Sequence, residues 1–393
     1  MPKQILEGSR AVALTIKNIK PAVVSAYPIT PQTHIVEDLA KFKSDGEADY
    51  EYVRAESEFA AASIVAGASA AGARVYTATS SQGLLLMAEV VYNIAGLRLP
   101  VVMTCANRGV SAPITIWNDH QDAMAVRDAG WIMLFAENHQ EAVAQHVLAY
   151  KLAEQTHLPA MVNMDGFVLT HSYEPVVIPD EKLVRRFLGE TRPAQDNLLD
   201  PAAPKTSGAF AAPTHYLEIR QALNDDLEKC LALLPGLAAD YAKLFNAPRA
   251  AAPAAGDNGL LEYYGPRAAK TVIAVMGSLA GTAKDAVDEY NRGSAGKKNP
   301  AAVLKIKCYR PFPRAALLKA LGRIRCLAVV EKAVSLGSAG PLALDIMSAW
   351  PSQRPLIIAD FIVGLGGRDV TQEKLINIIK QAPKNNRQVK FIS

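Results

Sequence analysis

The amino-acid sequence predicts an α/β protein in which a doubly wound parallel sheet is followed by a smaller α/β domain. The first half of the chain alternates short apolar runs with amphipathic stretches, which is typical of parallel strands covered by helices. The alternation stops in two segments rich in Pro and Ala, residues 192–213 and 246–259, and resumes after each of them. These three observations divide the chain into two folded parts.

The domain limits follow from the second break, which we interpret as an extended linker. We place the first domain at residues 1–245, the linker at 246–262 and the second domain at 263–393. Between the two breaks, the helical stretch HYLEIRQALNDDLEKCLALL belongs to the first domain.

The first domain is predicted element by element. Strands are expected where apolar runs end in turn residues, and helices where apolar residues recur with helical spacing. The predicted strands are PAVVSAY, EYVRAES, ARVYTATS, LPVVMTCANRG and LPAMVNMDGF. The predicted helices are THIVEDLAKFKSD, EFAAASIVAGASAAG, SSQGLLLMAEVVYNIAG and HQEAVAQHVLAYKLAEQT.

The second domain shows the same alternation of apolar runs and amphipathic stretches over fewer residues. Its predicted strands are TVIAVMGS, AVLKIKCYRPFP, CLAVVEKA and PLIIADFIVGLGG, with AGTAKDAVDEYNRG as a helix after the first of them. The GLGG segment has no acidic residue placed to meet a ribose, so we interpret it as a structural glycine-rich turn rather than a dinucleotide fingerprint.

Composition excludes several classes of function. At 393 residues, with 50% hydrophobic and 20% charged positions, the chain can bury more than one core. Its net charge of +4 is spread along the sequence and forms no basic block. Nucleic acid and anionic membranes are therefore not expected as partners. The sequence shows neither a signal peptide nor an apolar run long enough to span a membrane, and we expect a cytoplasmic protein.

The metal-ligand residue types show no metal-binding pattern. Four cysteines lie far apart without a C-x-x-C pair. Their spacing therefore indicates no disulfide framework, zinc site or iron–sulfur site. We expect buried thiols in a reducing compartment. The seven histidines show no metal spacing either, and we expect no metal site in this chain.

Candidate functional residues should follow the strands, because ligands of open parallel sheets bind where strands end and chain direction reverses. Four polar stretches do so: YPITP, RAESE, TATSSQG and ANRGVSAPITIWNDHQD. Three have plain structural alternatives. YPITP fits a proline corner with Thr30 as a cap. The helix dipole alone favours Glu56 and Glu58 at a helix start, and Ser80 or Ser81 fits an N-cap.

The fourth stretch, residues 107–122, is harder to explain structurally. It combines an arginine, two aspartates and a histidine beside Trp117 in one long loop after a strand. Loops of that kind usually carry function. Within it, His120 either lines the substrate loop or braces it, and both alternatives stay open.

Taken together and in order, these motifs resemble one family. The segments YPITPQT, ESEFAAASIVAGASAAGARVYTATSSQGLLLM, ANRGVSAPITIWNDHQDAMAVRDAGW and VNMDGFVLTH follow one another as in the 2-oxoacid:ferredoxin oxidoreductases. The similarity continues into YRPFP and GLGGRDV, so it covers nearly the whole chain. The chain resembles the α subunit of the multi-subunit, pyruvate-type enzymes.

The resemblance implies a fold and a set of site residues. It implies a pyrimidine-binding domain of the thiamine diphosphate enzymes followed by a transketolase-C-like domain. The family's cofactor-activating glutamate falls on Glu58, its substrate-loop threonine on Thr30 and its substrate-binding arginine on Arg108. By the same resemblance, we expect the cofactor-binding residues to be Glu58, Pro28, Ile29, Ser81 and Gln82.

Physical chemistry makes these implied roles reasonable. Thiamine diphosphate reacts only after C2 of its thiazolium ring loses a proton, and a carboxylate at pyrimidine N1′ favours the tautomer that removes it. The small side chains after Glu58 supply an apolar wall against which a flat ring can lie. An arginine grips a substrate carboxylate through two parallel hydrogen bonds, which suits Arg108. The prolines beside Thr30 limit the freedom that the loop loses on presenting a hydroxyl.

The missing parts imply partner subunits. The sequence has no G-D-G…N motif to hold diphosphate through Mg²⁺, and no cysteine spacing for 4Fe-4S clusters. The resemblance therefore implies a β subunit with the diphosphate and Mg²⁺ site, a γ subunit and a ferredoxin-like δ subunit. It further implies oxidative decarboxylation of a 2-oxoacid with transfer of the acyl group to coenzyme A and of electrons to ferredoxin or another acceptor.

Alternative functions remain at the level of the sequence. Gly109 and Val110 follow Arg108 where pyruvate enzymes commonly carry a bulkier pair such as Ala-Leu. The lost side chain is expected to open space for a branched or aryl substrate such as 2-oxoisovalerate or phenylglyoxylate. Two alternatives of other classes are a non-catalytic structural subunit and a nicotinamide-dependent dehydrogenase, and the latter lacks its glycine fingerprint.

Overall fold

A computed structural model describes residues 2–189, 201–208, 210–245, 257–322, 324–351, 353, 355–385 and 389–393. The strands are β1 (Gln4–Glu7), β2 (Val23–Ala26), β3 (Glu51–Arg54), β4 (Val75–Thr79), β5 (Val102–Asn107), β6 (Ile132–Phe135), β7 (Ala160–Asp165), β8 (Tyr173–Val176), β9 (Leu261–Tyr264), β10 (Thr271–Val275), β11 (Ala301–Ile306), β12 (Cys308–Arg310), β13 (Cys326–Glu331), β14 (Ile357–Ile362) and β15 (Lys390–Phe391).

The α-helices are α1 (Gly8–Ile19), α2 (Thr33–Ser44), α3 (Glu58–Ala70), α4 (Ser81–Leu86), α5 (Ala88–Gly96), α6 (Gln121–Ala125), α7 (His139–Thr156), α8 (Glu181–Leu188), α9 (Pro213–Leu244), α10 (Leu279–Arg292), α11 (Ser294–Lys298), α12 (Arg314–Leu321), α13 (Pro341–Ala349) and α14 (Gln372–Gln381). Short 3₁₀ turns occupy Leu365–Gly367 and Ala382–Lys384.

Two sheets organise the molecule. The first has seven strands in the order β12-β6-β7-β5-β4-β2-β3, parallel except for β12. The second has six strands in the order β15-β14-β13-β10-β11-β9, parallel except for β9. The small antiparallel pair of β1 and β8 completes the first part. The α/β fold class predicted from the sequence agrees with this arrangement.

Each sheet has a point at which the order of its strands reverses. In the first sheet the chain passes from β2 to β3 on one side and then to β4 on the other. In the second sheet it passes from β10 to β11 on one side and then to β13 on the other. Crevices of this kind, at the carboxyl ends of the strands, are where open α/β sheets bind ligands.

A buried network of charges joins the two sheets. Lys305, whose side chain is 3% exposed, contacts Glu137, Glu141 and Glu262 at 2.5, 3.1 and 2.7 Å. Burial alone would lower the pKa of Lys305, but these carboxylates raise it above its ordinary range. Lys284 and Lys307 add four more ion pairs, to Glu137, Glu262, Glu141 and Asp257. Because Glu137 and Glu141 belong to the first part and the lysines to the second, the network fixes one part against the other.

The structure confirms most of the predicted elements and changes three of them. The helix predicted over SSQGLLLMAEVVYNIAG is two helices, α4 and α5, separated at Met87. The strand predicted over AVLKIKCYRPFP is also divided, because β11 stays in the second sheet whereas β12 crosses to the first. The helix predicted over residues 215–234 extends to Leu244 as part of α9.

The segments between the two parts are described only partly. Residues 192–200 and 209 of the first predicted break, and residues 246–256 of the predicted linker, lie outside the described residues. Strand β9 begins at Leu261, two residues before the predicted start of the second domain at 263. The sequence analysis did not predict β1, β6, β8, β9 or β15, whose runs are short, or helices α1, α6, α8 and α11 to α14.

Candidate active site

The predicted site residues come together at the carboxyl edge of the first sheet. Thr30 lies after β2, Glu58 begins the helix after β3, Ser81 follows β4 and Arg108 follows β5. Gln32 joins two of these segments, because its buried side chain donates to the carbonyl of Ala78 at 2.7 Å. The site therefore occupies the crevice at the reversal point between β2 and β4.

Glu58 is a buried carboxylate at the first position of α3. Ser57 caps this helix by accepting a hydrogen bond from the amide of Ala60 at 3.1 Å. Glu58 is 7% exposed, and among the described residues its carboxylate has no hydrogen-bond donor and no cation within ion-pair distance. Glu56, two residues earlier, is exposed. A buried carboxylate without a partner is costly, so this position is one that a ligand would complete.

The surroundings of Glu58 are shaped for a close approach. A Cβ atom on Gly83 would lie 2.6 Å from Oε1 of Glu58 and 2.5 Å from Oγ1 of Thr79, so any other residue there would displace these side chains. The hydroxyls of Thr79 and Ser80 are buried and have no hydrogen-bond partner within the residues that the structure describes. The Thr79 hydroxyl and the Glu58 carboxylate thus lie beside Gly83, both without partners among the described residues.

Arg108 reaches across the crevice to the loop after β2. Its Nη1 donates to the carbonyl of Thr30 at 2.8 Å and its Nε donates to the carbonyl of Thr115 at 2.7 Å. Desolvation lowers the pKa of Arg108 and outweighs the attraction of Asp122. In the described part of the chain no carboxylate lies within ion-pair distance of the guanidinium. A buried cation with carbonyl partners alone is suited to an incoming anion.

The remaining predicted residues differ in their exposure to solvent. The side chains of Pro28 and Thr30 are exposed, Ile29 and Gln82 are half-buried, and the peptide bond after Thr30 is cis. The Thr30 hydroxyl makes no hydrogen bond to any described residue.

Ser81 differs from the other predicted cofactor-binding residues, because its side chain is engaged within the protein. Its hydroxyl is buried and lies 2.6 Å from the carbonyl of Gly109 and 2.6 Å from Oε1 of Gln82.

The missing side chain at Gly109 does not enlarge the pocket as the sequence suggested. A Cβ atom on Gly109 would lie 2.6 Å from Cγ2 of Thr115 and 3.0 Å from Oδ2 of Asp119. The space is therefore filled by the chain's own loop. The expectation of extra room for a branched or aryl substrate loses its basis at this position.

The loop that carries Arg108 is held by the second part of the molecule. The carbonyl of Lys332 accepts from the amide of His120 at 2.8 Å, and Gly367 donates its amide to the carbonyl of Asn118 at 2.7 Å. Asp119 accepts a hydrogen bond from the amide of Gly366 at 3.1 Å. The GLGG segment thus has the structural role predicted for it.

His120 braces the loop from inside. Its Nε2 lies 2.6 Å from Oδ1 of Asp165, which also pairs with Lys332 at 2.8 Å and accepts a hydrogen bond from the Ser278 hydroxyl. All of these groups except Ser278 are buried. Burial opposes ionisation of Asp165, but Lys332 and His120 hold its pKa well below the usual range. Of the two alternatives for His120, the structure favours bracing.

The sequence analysis assigned no role to three acidic or basic residues of this region, although it noted the two aspartates. Asp119 is buried, and desolvation raises its pKa to about 6. Asp122 is fully buried beside Ser81 and Arg108, and Lys332 lies across from Asp165 although 167 residues separate them. The spacing in NDHQD was visible, but nothing local in the sequence distinguishes a buried aspartate from a solvated one.

The four cysteines are free and buried, as predicted. Tertiary structure brings Glu7, His34 and His171 together, with ligand atoms within 4.8 Å of one another, and His34 is already hydrogen-bonded to Glu7 at 2.6 Å. Sequence spacing did not predict this trio.

Within the described ranges, every helix is too short or too polar to cross a bilayer.

Comparison with known families places this site in context. Residues 15–233 match the family model of pyruvate flavodoxin/ferredoxin oxidoreductase, thiamine diphosphate-binding, and residues 269–375 match that of pyruvate:ferredoxin oxidoreductase core domain II. The first match covers Thr30, Glu58 and Arg108.

Individual relatives are similar over almost the whole chain. Pyruvate synthase subunit PorA of Methanosarcina barkeri is 44% identical over 385 residues, which are 97% of this chain and 92% of that protein. Ketoisovalerate oxidoreductase subunit VorA of Pyrococcus horikoshii is 38% identical over 94% of this chain and 91% of its own length.

A solved structure shows the same fold. The 2-oxoglutarate:ferredoxin oxidoreductase from Magnetococcus marinus superposes with a TM-score of 0.72 at 20% identity and covers 96% of this chain. This chain spans 65% of that longer chain. The two domain types expected from the sequence are consistent with this likeness in fold.

Proposed function

The chain belongs to the pyruvate:ferredoxin oxidoreductase family, and from that premise we propose that Glu58, Thr30 and Arg108 form its catalytic centre as the α subunit of a pyruvate-type enzyme. The reaction is oxidative decarboxylation of a 2-oxoacid, with acyl transfer to coenzyme A and electron transfer to ferredoxin. The observation that carries the proposal is the buried carboxylate of Glu58, which lacks a partner among the described residues.

The residues present fit the aminopyrimidine end of thiamine diphosphate. Such a ring offers N–H donors, and Glu58 offers an acceptor without a donor, beside the unpartnered hydroxyl of Thr79. Gly83 leaves the wall beside Glu58 free of a side chain. When bound, the cofactor supplies the carbon nucleophile that adds to the substrate ketone. In this proposal Glu58 holds the proton at pyrimidine N1′, and Pro28, Ile29, Ser81 and Gln82 line the remainder of the ring site.

Arg108 and Thr30 are proposed to hold the substrate. The guanidinium of Arg108 is buried and meets only carbonyl oxygens, so a substrate carboxylate would supply its missing counter-charge. The exposed Thr30 hydroxyl is available to donate to the substrate. Replacing Arg108 with Ala should raise the KM for pyruvate about tenfold or more and leave thiamine diphosphate affinity near the wild-type value.

A partner subunit is proposed to complete the cofactor site. Large apolar side chains are exposed on the segments around Glu58, namely Tyr27, Phe59 and Leu86. Exposed apolar groups around a half-formed site are typical of a surface that another chain covers. We infer a β subunit that holds the diphosphate through Mg²⁺, together with γ and δ subunits and 4Fe-4S clusters outside this chain.

The domain limits and the compartment belong to the same proposal. We propose a pyrimidine-binding domain at 1–245, a linker at 246–262 and a transketolase-C-like domain at 263–393. Four free buried thiols support operation in a reducing cytoplasm.

The test compares two glutamates that differ in burial. In the assembled enzyme, Glu58→Gln should lower turnover with pyruvate about a hundredfold or more, because it removes a group that acts in proton transfer. Glu56→Gln changes the same charge at an exposed position two residues away and should leave turnover unchanged. Normal turnover in Glu58→Gln would reject this centre and favour a subunit without a catalytic role.

The substrate is tested by direct competition. We expect the assembled enzyme to prefer pyruvate over 2-oxoisovalerate and phenylglyoxylate in kcat/KM, since Thr115 and Asp119 fill the space beside Gly109. A preference for 2-oxoisovalerate would instead place its specificity with that of the ketoisovalerate enzyme to which the chain is 38% identical. A preference for phenylglyoxylate would show that the partner subunit sets the pocket volume.

A further inference from the structure

We propose that Asp122 is a positioning residue that holds the cofactor side and the substrate side of the active site in register. Its carboxylate lies between two segments: the start of α4, which carries Ser81, and the end of β5, which leads to Arg108. This inference rests on the proposed function, because it assigns Asp122 an effect on the cofactor and the 2-oxoacid through those two segments.

The hydrogen bonds show how Asp122 joins the segments. Its Oδ2 accepts from the backbone amides of Ser81 at 3.0 Å and of Arg108 at 2.9 Å. Its Oδ1 accepts from Nδ2 of Asn107 at 3.0 Å and from the amide of Ala123 at 2.7 Å. One oxygen atom therefore fixes the backbone of both segments, so neither can move without disturbing the other.

The backbone of Ser81 shows that this position is held against its own preference. Ser81 has a φ of 46°, in the left-handed region that a residue with a Cβ atom adopts only at a cost of about 1 kcal/mol. The bond from its amide to Asp122 and the short contact of its hydroxyl with Gly109 keep it there. A conformation held in this way at the start of a helix fits a role in placing the helix against a ligand.

Only an ionised carboxylate satisfies this arrangement. All four nitrogen groups around Asp122 are donors, so an amide side chain would turn its own NH₂ group towards two of them. Burial raises the pKa of Asp122 above its ordinary value, although the hydrogen bonds from Asn107 and from three backbone amides act in the opposite direction. Asp122 is fully buried, so the carboxylate is fixed by these donors and not by water.

Asp122 is itself anchored by the second part of the molecule. Three residues that precede Asp122 form hydrogen bonds with that part. The Asn118 carbonyl accepts from the amide of Gly367, and the Asp119 carboxylate accepts from the amide of Gly366. The amide of His120 donates to the carbonyl of Lys332. The segment from Asn118 to Asp122 is therefore held on one side and supports Ser81 and Arg108 on the other. In this way the second part fixes the geometry of a site to which it contributes none of the proposed catalytic residues.

The experiment is a double-mutant cycle in the assembled enzyme, with a matched control. Asp122→Asn changes the shape of the side chain least, and Asp360→Asn makes the same change at another buried aspartate, which accepts from the amide of Gly340 at 2.7 Å in the second sheet. We measure the KM for pyruvate, the Kd of thiamine diphosphate and the unfolding midpoint. Each variant is also combined with Arg108→Ala.

A positioning role predicts a specific pattern. Asp122→Asn should raise both the KM for pyruvate and the Kd of thiamine diphosphate about tenfold, while Asp360→Asn should leave both constants unchanged. In the Arg108→Ala background, Asp122→Asn should change the KM less than twofold but still raise the cofactor Kd, because residues that act through one another are not additive.

Several outcomes would overturn the inference. They are an unchanged KM and Kd in Asp122→Asn, additive effects with Arg108→Ala, or a pattern equal to that of Asp360→Asn. Should Asp122→Asn fail to assemble, Asp122→Ser retains one acceptor and should show the same pattern; failure of both variants to assemble would assign Asp122 to stability alone. If Arg108→Ala by itself leaves the KM unchanged, the proposed function has failed, whatever Asp122→Asn does.

Discussion

The two reversal points of the molecule have the same topology and opposite contents. At the first, between β2 and β4, Glu58 and Arg108 are buried, and neither forms an ion pair among the described residues. At the second, between β10 and β13, the turn with Ser278 and the end of the strand with Lys332 both bind Asp165, which is inserted from the first part. One crevice is left for a ligand, and the other is filled by the protein itself.

The pairing of buried charges distinguishes a ligand site from a contact between two parts of the molecule when both lie at reversal points of the same topology. Buried charges are costly unless they are paired, and the second crevice pairs its lysine with a carboxylate whose other oxygen meets His120. The first crevice leaves two charges apart and unpaired. Unpaired buried charge at a strand end therefore indicates where a ligand acts, whereas paired charge indicates where the fold holds itself together.

The largest effect on stability is expected from removing the carboxylate charge of Asp165 in the second crevice. Asp165→Asn should lower the free energy of unfolding by about 3–5 kcal/mol, since it leaves Lys332 buried without its carboxylate. Chemical denaturation of the assembled enzyme measures this loss. Adding Lys332→Met should recover part of it, because the second change removes the stranded charge. No recovery in the double variant would mean that the pair is not the source of the stability.

The next effect tests the shape of the open crevice. Gly83→Ala should lower turnover about tenfold to a hundredfold, because the new Cβ atom would displace the carboxylate of Glu58 from a separation of 2.6 Å. Its control is Gly236→Ala within α9, where no described atom beyond the neighbouring residues and the helix's own backbone lies within 4 Å of the added Cβ. The control should keep full turnover and gain about 0.5–1 kcal/mol of stability. Equal turnover in the two variants would contradict a tight wall at Gly83.

A smaller effect sharpens the contrast between the two crevices. Glu58→Gln removes a buried charge that has no partner among the described residues, so it should leave stability unchanged or raise it by about 1 kcal/mol. Asp165→Asn makes a similar change and should do the reverse. Unfolding midpoints of the two variants measured side by side provide the comparison. A loss of several kcal/mol in Glu58→Gln would show that its carboxylate is paired in the assembled protein.

The smallest expected effect is a loss of stability at low pH. Burial would raise the pKa of Glu141, but Lys305 and Lys307 lower it to about 2 from 4.5. A depressed carboxylate contributes stability that is present above its unfolded pKa and is lost as pH falls through the folded value. Stability should therefore fall between about pH 4.5 and 2. In Lys307→Met the folded pKa of Glu141 should move back towards 4.5, so the fall should end at a higher pH and be smaller in denaturant titrations. A fall of unchanged size would contradict this assignment.

The regular elements were predictable because they depend on local pattern. The strand that ends at Ala26 and the helix that begins at Thr33 are both visible as a change in apolar period around a proline corner. The residues of the open crevice were predictable for a related reason. Each follows a strand, and the carboxyl ends of parallel strands meet at one edge.

Contacts between distant segments were not predictable in this way. Nothing near β12 shows that it leaves its neighbour β11 for the other sheet, and nothing near Asp165 shows that Lys332 will reach it. The space beside Gly109 was misjudged for the same reason, because Thr115 and Asp119 return from the loop to fill it. Burial and pairing are set by tertiary structure, and a single sequence contains no direct record of them.

The most direct test of the central claim is the exchange of the C2 proton of bound thiamine diphosphate with deuterium. It is measured after acid quenching in the assembled wild-type enzyme, in Glu58→Gln and in Glu56→Gln. The buried carboxylate predicts exchange slowed about a hundredfold or more in Glu58→Gln and unchanged in Glu56→Gln. Exchange at the wild-type rate in Glu58→Gln would contradict the claim that this carboxylate activates the cofactor.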